Sequence, residues 1–172
     1  MNRKSIFLLP AVFICTILSA QKEIFDIVTY NRPQGWIKDE HKDYRAFTKL
    51  DNAKGLYTKI IIYKSTPSTG SSASDFDALW KELVADPYKI TEAPEKTEPQ
   101  TQNGWEVKGG AGQFKFNNKP SVAMLTTLSG SGKKVGIVSL TNQDGNFQDI
   151  EKFITSVSVP PAKPASDNAK NT

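Results

Sequence analysis

The sequence predicts an α+β protein that consists mainly of strands, with two helices packed on a sheet. Most of the chain alternates apolar and polar side chains, which is the period of a half-buried strand. Residues 75–85 and 147–156 instead repeat apolar side chains every three to four positions, as an amphipathic helix does. LYTKIIIYK at 56–64 is apolar on both faces, so the sheet is expected to be covered on both sides.

The chain begins with the three parts of a secretory signal peptide. A basic start, MNRK, precedes an apolar run over 6–18, and the small residues Ser19 and Ala20 precede Gln21. The apolar run is shorter than the roughly 20 residues that span a bilayer as a helix. Residues 1–20 are therefore predicted to direct export to the periplasm or the medium, without stable insertion in a membrane.

The rest of the chain is predicted to form one domain and a tail. Residues 21–159 are one continuous patterned stretch of a usual single-domain length. The only cysteine, Cys15, lies in the signal segment, so the mature protein is expected to have no disulfide and no thiolate ligand for a metal. Residues 160–172 contain several prolines and no apolar period, which predicts a disordered tail.

The first half of the domain is predicted to begin with three strands. They cover 25–30, 44–50 and 56–64, and the turn at 51–55 joins the last two as a hairpin.

A helix is predicted after these strands. Residues 65–74 form a polar loop, and Ser74 with Asp77 has the spacing of a capping box at a helix start. The helix over 75–85 directs one apolar stripe at the sheet, formed by Phe76, Leu79, Trp80, Leu83 and Val84.

The second half repeats this plan. Residues 105–116 alternate and are predicted to form two strands joined through Gly109 and Gly110. Two more strands, 122–128 and 134–141, flank the turn SGSGK. The closing helix over 147–156 directs inward Phe147, Ile150, Phe153, Ile154 and Val157.

A set of short motifs in this order resembles the PsbP-like family. The motifs are a P-x-G-W turn at 33–36, a D-F-x-x-x-W helix at 75–80, a second G-W at 104–105 and the closing FITSVSV at 153–159. The family is typified by the extrinsic P subunit of the photosynthetic oxygen-evolving complex, and small exported bacterial proteins share its fold. The resemblance implies a central antiparallel sheet of about six strands with helices on both faces, and an accessory or binding role. It transfers no functional residue, because no motif here matches a metal or docking site of that subunit.

Each half of the domain contains a Gly-Trp pair at the start of a strand. The glycine permits a tight turn, and the tryptophan that follows buries up to about 250 Å². Trp105 is in phase with the strand that it begins, which predicts a core position. Trp36 is out of phase with Ile37 and adjoins the charged run KDEHKD, so two interpretations stay open: framework packing, or the wall of a ligand groove.

The predicted ligand-binding surface consists of Trp36, Tyr57, Ile61 and Tyr63. The last three form the second apolar face of one strand, and such a face must be covered by a helix, a ligand or a partner. The resulting interpretation is an exported, non-enzymatic binding or accessory protein without a cofactor. Its ligand is predicted to be a small molecule or a protein.

Two alternative functions depend on His41, the only histidine. A small hydrolase would use His41 as the base for a serine, although no G-x-S-x-G elbow occurs. The segment Asp39–Asp43 would make a weak site for a divalent metal, although one imidazole beside adjacent carboxylates lacks the spacing of convergent ligands.

Nucleic-acid binding is not expected. The chain has 22 basic and 18 acidic side chains, and without Arg3 and Lys4 the balance is only 20 to 18. SGSGKK at 129–134 lacks the first glycine of a phosphate loop and joins two predicted strands. KGLYTKII at 54–61 lacks most aromatics of an RNA-recognition strand.

Overall fold

A computed structural model describes residues 21–142 and 146–162. The predicted signal segment, 1–20, and most of the predicted tail, 163–172, lie outside the described residues, so both stay predictions. Across the described ranges, no helix is long and apolar enough to span a bilayer.

Strands dominate the described chain, as the alternating sequence predicts. The helices are α1 (Ser72–Trp80), which continues through a π-helical turn (Lys81–Ala85) into the short α2 (Asp86–Tyr88), and α3 (Phe147–Ser156). The strands are β1 (Lys22–Phe25), β2 (Val28–Asn31), β3 (Ile37–Glu40), β4 (Tyr44–Asp51), β5 (Leu56–Tyr63), β6 (Thr66–Pro67), β7 (Glu95–Lys96), β8 (Gln100–Gln102), β9 (Trp105–Phe116), β10 (Lys119–Gly130) and β11 (Lys133–Thr141).

A large antiparallel sheet forms the centre of the domain. Its order is β3-β4-β5-β11-β10-β9-β7, with β6 beside β11 and β8 beside β9, which makes nine strands within the described residues. The predicted α+β class with a central antiparallel sheet is therefore confirmed, whereas the expected number of about six strands is too low. Three of the additional strands, β6 to β8, have two or three residues each, too few to show a period in the sequence.

The strand predicted over 25–30 is in fact a separate hairpin. β1 and β2 pair with each other around a turn at Asp26 and Ile27. Asp26 adopts the left-handed conformation with φ +54°, which aspartate tolerates better than most residues. Its Oδ2 accepts a hydrogen bond from the Ser65 amide at 2.8 Å, which links the hairpin to the loop after β5.

The turn predicted at Gly109 and Gly110 is also wrong, because β9 runs through both residues without a break. A Cβ on Gly110 would lie 2.5 Å from the Phe76 ring of α1. Gly110 therefore lets α1 approach the sheet closely, and it does not reverse the chain.

Helix α1 begins three residues earlier than predicted. Its N-cap is Ser71, whose Oγ accepts a hydrogen bond from the Ser74 amide at 3.1 Å, so the Ser74 capping box does not form. Asp75 is buried, and its carboxylate accepts hydrogen bonds from the amide and hydroxyl of Thr69 at 2.6 and 2.8 Å. Burial raises the pKa of Asp75, but these bonds and one from Ser68 outweigh it, and the pKa lies below its ordinary value.

The sheet has a hydrophobic core on each face. Successive side chains of β11 point to opposite faces and so belong to different cores. Ile137 belongs to the first core and Val138 to the second. The first core joins the sheet to the β1–β2 hairpin and α3 through Phe25, Val28, Tyr30, Phe47, Ile150 and Phe153. The second core joins it to α1 through Phe76, Leu79, Trp80, Ala123, Leu125 and Leu140. The expected helices on both faces of the sheet are therefore wrong, because α3 packs mainly on β2 and the β1–β2 hairpin supplies much of the cover on the first face.

Candidate functional site

A cleft of about 220 Å³ opens on the first face, where the β2–β3 turn meets α3. Trp36, Phe153 and Pro33 supply its apolar walls. Its polar rim consists of Asn31, Arg32, Gln34, Lys49, Asp149 and Lys152. An apolar wall with a few polar groups at the rim is the usual composition of a small-molecule site.

The β2–β3 turn places Trp36 at this cleft. Gly35 has φ +76°, a left-handed conformation that favours glycine. Trp36 follows it and is 7% exposed, so most of the side chain is buried in the first core, and the residue also lines the cleft. Trp36 is therefore a core residue that also borders a cavity, and its part in ligand binding stays a prediction.

Glu23 of β1 holds both ends of this turn. Its Oε2 accepts hydrogen bonds from Lys38 Nζ at 2.8 Å and from the Tyr30 hydroxyl at 3.0 Å, and Oε1 lies 3.7 Å from Arg32 Nη1. Burial raises the pKa of Glu23, but the hydrogen bonds from Lys38 and Tyr30 and the charges of Lys38 and Arg32 outweigh it, and the pKa is lowered. Burial, and after it the hydrogen bond with the same carboxylate, raises the pKa of Tyr30. These contacts tie β1 to both ends of the turn that carries Trp36.

The rim of the cleft carries more positive than negative charge. Lys49 Nζ and Asp149 Oδ2 form an ion pair at 2.8 Å that joins β4 to α3. Lys152, one turn after Asp149, has no carboxylate within 4 Å among the described residues. The exposed Lys152 ammonium is therefore available to an acceptor group in the cleft.

The other predicted binding residues lie on the opposite face of the sheet. Tyr57, Ile61 and Tyr63 alternate along β5 toward α1, and Tyr57 and Tyr63 pack against the second core. Ile61 is 7% exposed. Burial raises the pKa of Tyr63 to about 12, in agreement with a phenol packed under other side chains. The structure therefore does not bring Trp36 together with the other three residues.

His41 lies on an exposed turn between β3 and β4. Its imidazole stacks on the Tyr44 ring at 4.9 Å, and its Nδ1 accepts a hydrogen bond from the Asp43 amide at 3.3 Å. Within the described ranges, no serine hydroxyl is bonded to His41, and no group of three or more His, Cys, Asp or Glu side chains is placed to hold a metal. The geometry gives no support to the hydrolase or to the metal site at Asp39–Asp43.

Sequence reasoning missed most of the cleft. The Lys49–Asp149 pair joins residues 100 positions apart, and both look like ordinary solvated charges in the sequence. Phe153 was assigned inward on α3, which is correct, but its helical period does not show that one edge borders a cavity.

Comparisons with known proteins identify the fold. No family model and no curated protein sequence matches this chain. A solved structure from Bacteroides thetaiotaomicron matches with a TM-score of 0.53 and 14% identity, over 81% of this chain and 48% of that chain. This chain thus spans about half the length of the Bacteroides chain.

Two further solved structures match over almost their whole length. The Saccharomyces cerevisiae Ran-binding protein Mog1p has a TM-score of 0.51 and 13% identity, over 82% of this chain and 96% of that chain. Cyanobacterial PsbP from Synechocystis has a TM-score of 0.51 and 14% identity, over 84% of this chain and 95% of that chain. The expected PsbP-like fold is therefore confirmed.

Proposed function

We propose that this protein is an exported, non-catalytic binding or accessory protein that holds a small polar ligand in the cleft beside Trp36. The observation that carries the proposal is the fixed apolar wall of Trp36 and Phe153 below a charged rim. At about 220 Å³ the cleft is smaller than the roughly 300 Å³ at which sites for drug-sized ligands begin. The ligand is accordingly a small metabolite or a single side chain of a larger molecule.

Three further observations support a binding role. The ion pairs of Glu23 keep the turn at Trp36 in place, which lowers the entropic cost of binding. Lys152 offers donors without a competing carboxylate in the described chain. The fold also occurs in the Ran-binding protein Mog1p, although fold alone does not determine function.

A thermal-shift screen tests the cleft. Monosaccharides, dicarboxylates, amino acids and sugar phosphates are each added to the exported protein, and a compound that binds the native state raises the melting temperature. Calorimetry then compares wild type with Trp36→Phe and Lys152→Gln. The matched control is Lys81→Gln, because Lys81 pairs with Asp86 on the helical segment of the opposite face.

We expect affinity to fall about tenfold in each cleft variant, which corresponds to roughly 1.4 kcal/mol. Lys81→Gln should bind as wild type does. A screen without any stabilising compound, or compounds that bind all four proteins equally, would contradict the proposal. Export has its own test: mass spectrometry of the exported product should give a chain that begins near Gln21, and a product that retains Met1 would contradict it.

A further inference from the structure

The second face of the sheet is only partly covered by helices. α1 packs mainly on β9, β10 and β11. On the first face, the β1–β2 hairpin covers the β3–β4 end of the sheet, where Arg45 lies over the Phe25 ring at 4.5 Å and the rings of Tyr30 and Phe47 are 5.6 Å apart. The same end of the second face carries no comparable layer among the described residues.

Exposed apolar side chains concentrate at this open end. Ile37 is 63% exposed, Leu50 51% and Phe116 48%. Ile37 lies opposite Thr48, Leu50 lies opposite Tyr57, and the Tyr57 and Phe116 rings are 4.9 Å apart. Because Thr48 and Leu50 are two positions apart on β4, they share a face. These five residues form one strip across β3, β4, β5 and the end of β9, called the open strip below.

Lysines border the open strip. Lys59 lies on the same face of β5 as Tyr57 and Ile61, since these residues are two positions apart, and it lies opposite Thr48. Lys119 Nζ donates to the carbonyl oxygens of Lys54 and Gly55 at 3.3 and 3.2 Å. Within the described residues, neither Lys59 nor Lys119 has a carboxylate within 4 Å. Near Lys59 and Lys119 the strip therefore combines exposed apolar surface with positive charge that no described carboxylate within 4 Å offsets, whereas Asp39, on the face of Ile37, lies at the β3 end.

We propose that the open strip is the docking surface for a partner protein that presents apolar side chains flanked by aspartate or glutamate. Apolar contact supplies the burial, and carboxylates on the partner complement Lys59 and Lys119. This inference is independent of the cleft, which lies on the other face. It includes Tyr57, one of the residues that the sequence assigned to binding.

The shape and charge of this region favour a protein segment over two other occupants. A second copy of this chain would present the same lysine-bordered strip, with Asp39 as a carboxylate on that face, and so would complement Lys59 and Lys119 less well than an acidic segment of a partner. A lipid bilayer is flat, whereas α1 stands about 10 Å above the sheet on the same face and would meet the bilayer first. A single helix or strand of a partner fits the step between α1 and the open end of the sheet.

Selection from a library of random displayed peptides, with the exported protein as the target, tests the proposal. The variants Leu50→Ser and Phe116→Ser remove apolar side chains of the strip, and Lys59→Gln removes a charge. Ile24→Ser is the matched control, because Ile24 is 74% exposed but lies on the β1–β2 hairpin, away from the strip. Thermal unfolding of each variant checks that it is folded.

We expect the selected peptides to be enriched in both acidic and large apolar residues. Their affinity should fall about tenfold in Leu50→Ser and Phe116→Ser and about threefold in Lys59→Gln, and it should not change in Ile24→Ser. Added salt should weaken binding to wild type more than to Lys59→Gln.

Three results would overturn the proposal. The first is a selected pool without acidic enrichment, or one that binds wild type and the strip variants equally. The second is a concentration-dependent dimer in sedimentation that Leu50→Ser abolishes, since the occupant would then be a second copy. The third is flotation of the protein with phosphatidylglycerol vesicles that Leu50→Ser prevents, since the surface would then be a lipid surface.

Discussion

The two Gly-Trp turns have the same local geometry and different surroundings. Gly35 and Gly104 have φ +76° and +78°, and the tryptophans after them are 7% and 3% exposed. Trp36 and Trp105 both belong to the first core. The pair is therefore framework in both halves of the domain, and the two rings differ in what surrounds them.

Trp105 is enclosed by the chain on all sides. Its Nε1 donates to the carbonyl oxygen of Pro160 at 2.8 Å, and a Cβ on Gly130 would lie 2.7 Å from the ring. The amide of Ala162 donates to the carbonyl oxygen of Asn103 at 2.8 Å, so residues 160–162 of the predicted tail lie on this turn.

Trp36 has no such enclosure. Its indole makes no hydrogen bond to the described residues, and the residue lines the cleft. A tryptophan turn that a later segment of the chain covers is buried in the core. The same kind of turn without that cover on one side forms the wall of a cavity.

Of the substitutions that test this comparison, Trp105→Ala should reduce the free energy of unfolding the most. It removes a fully enclosed ring and its hydrogen bond, and we expect a loss of about 4 to 5 kcal/mol in the free energy of unfolding. Chemical denaturation followed by far-UV circular dichroism measures it. A loss below about 1 kcal/mol would mean that Trp105 does not hold the second half of the sheet.

Trp36→Ala should cost less, about 3 kcal/mol, because no hydrogen bond is lost and the site already borders a cavity. The same denaturation series measures it beside Trp105→Ala. Trp36→Phe serves as the control that keeps an aromatic wall, and it should recover most of the loss. Equal losses for the two alanine variants would remove the distinction between the sealed and the open turn.

Alanine at the two glycines tests the turns themselves. Each substitution forces a left-handed conformation that costs about 1 to 2 kcal/mol. Gly104→Ala should cost more than Gly35→Ala, because a Cβ at Gly104 would lie 3.0 Å from the Ala162 side chain, whereas nothing lies within 4 Å at Gly35. Urea midpoints of the two variants give the order, and the reverse order would contradict the contact with Ala162.

The smallest expected effect is a pH dependence of stability that arises from Glu23 beside the Trp36 turn. The folded-state pKa of Glu23 lies below its ordinary value of 4.5. Glu23 therefore contributes to the free energy of unfolding at a pH above that ordinary value, and this contribution is lost as the pH falls through the folded-state pKa. The contribution should not exceed about 1 kcal/mol, since Glu23 lies near the surface.

Urea denaturation from about pH 7 to about pH 3 compares wild type with Glu23→Gln. Wild type should lose more stability than the variant on acidification, because only wild type has this carboxylate to protonate. Parallel curves would show that Glu23 does not clamp the turn. The hydrogen bonds around Trp105 are neutral and add nothing to this difference.

Long elements with a clear period were predicted well. β4, β5, β11 and α3 lie where the sequence places them, since each shows several repeats of its own period. Elements without a period were missed or misassigned. No strand was predicted over the residues of β3, and the hairpin turn at Asp26 lies within the single strand predicted over 25–30.

Glycine illustrates why local signals are ambiguous. Gly35 and Gly104 were correctly assigned to turns, whereas Gly110 was assigned to a turn and lies inside β9. Its role is to admit the Phe76 ring, which is 34 positions away in the sequence. A sequence shows that a side chain is missing, and only the packed structure shows whether the backbone or a neighbour requires its absence.

The sequence by itself determined the α+β class, the antiparallel strands, both tryptophan turns and the face to which each β5 side chain points, because backbone preference and the period of two are local properties. Tertiary structure alone decided what covers each face. The Lys49–Asp149 pair at the cleft and the gap in cover over Ile37 and Leu50 both depend on elements far apart in the chain. Packing free energy selects those neighbours, and a strand has the same period whether a helix, a hairpin or solvent lies above it.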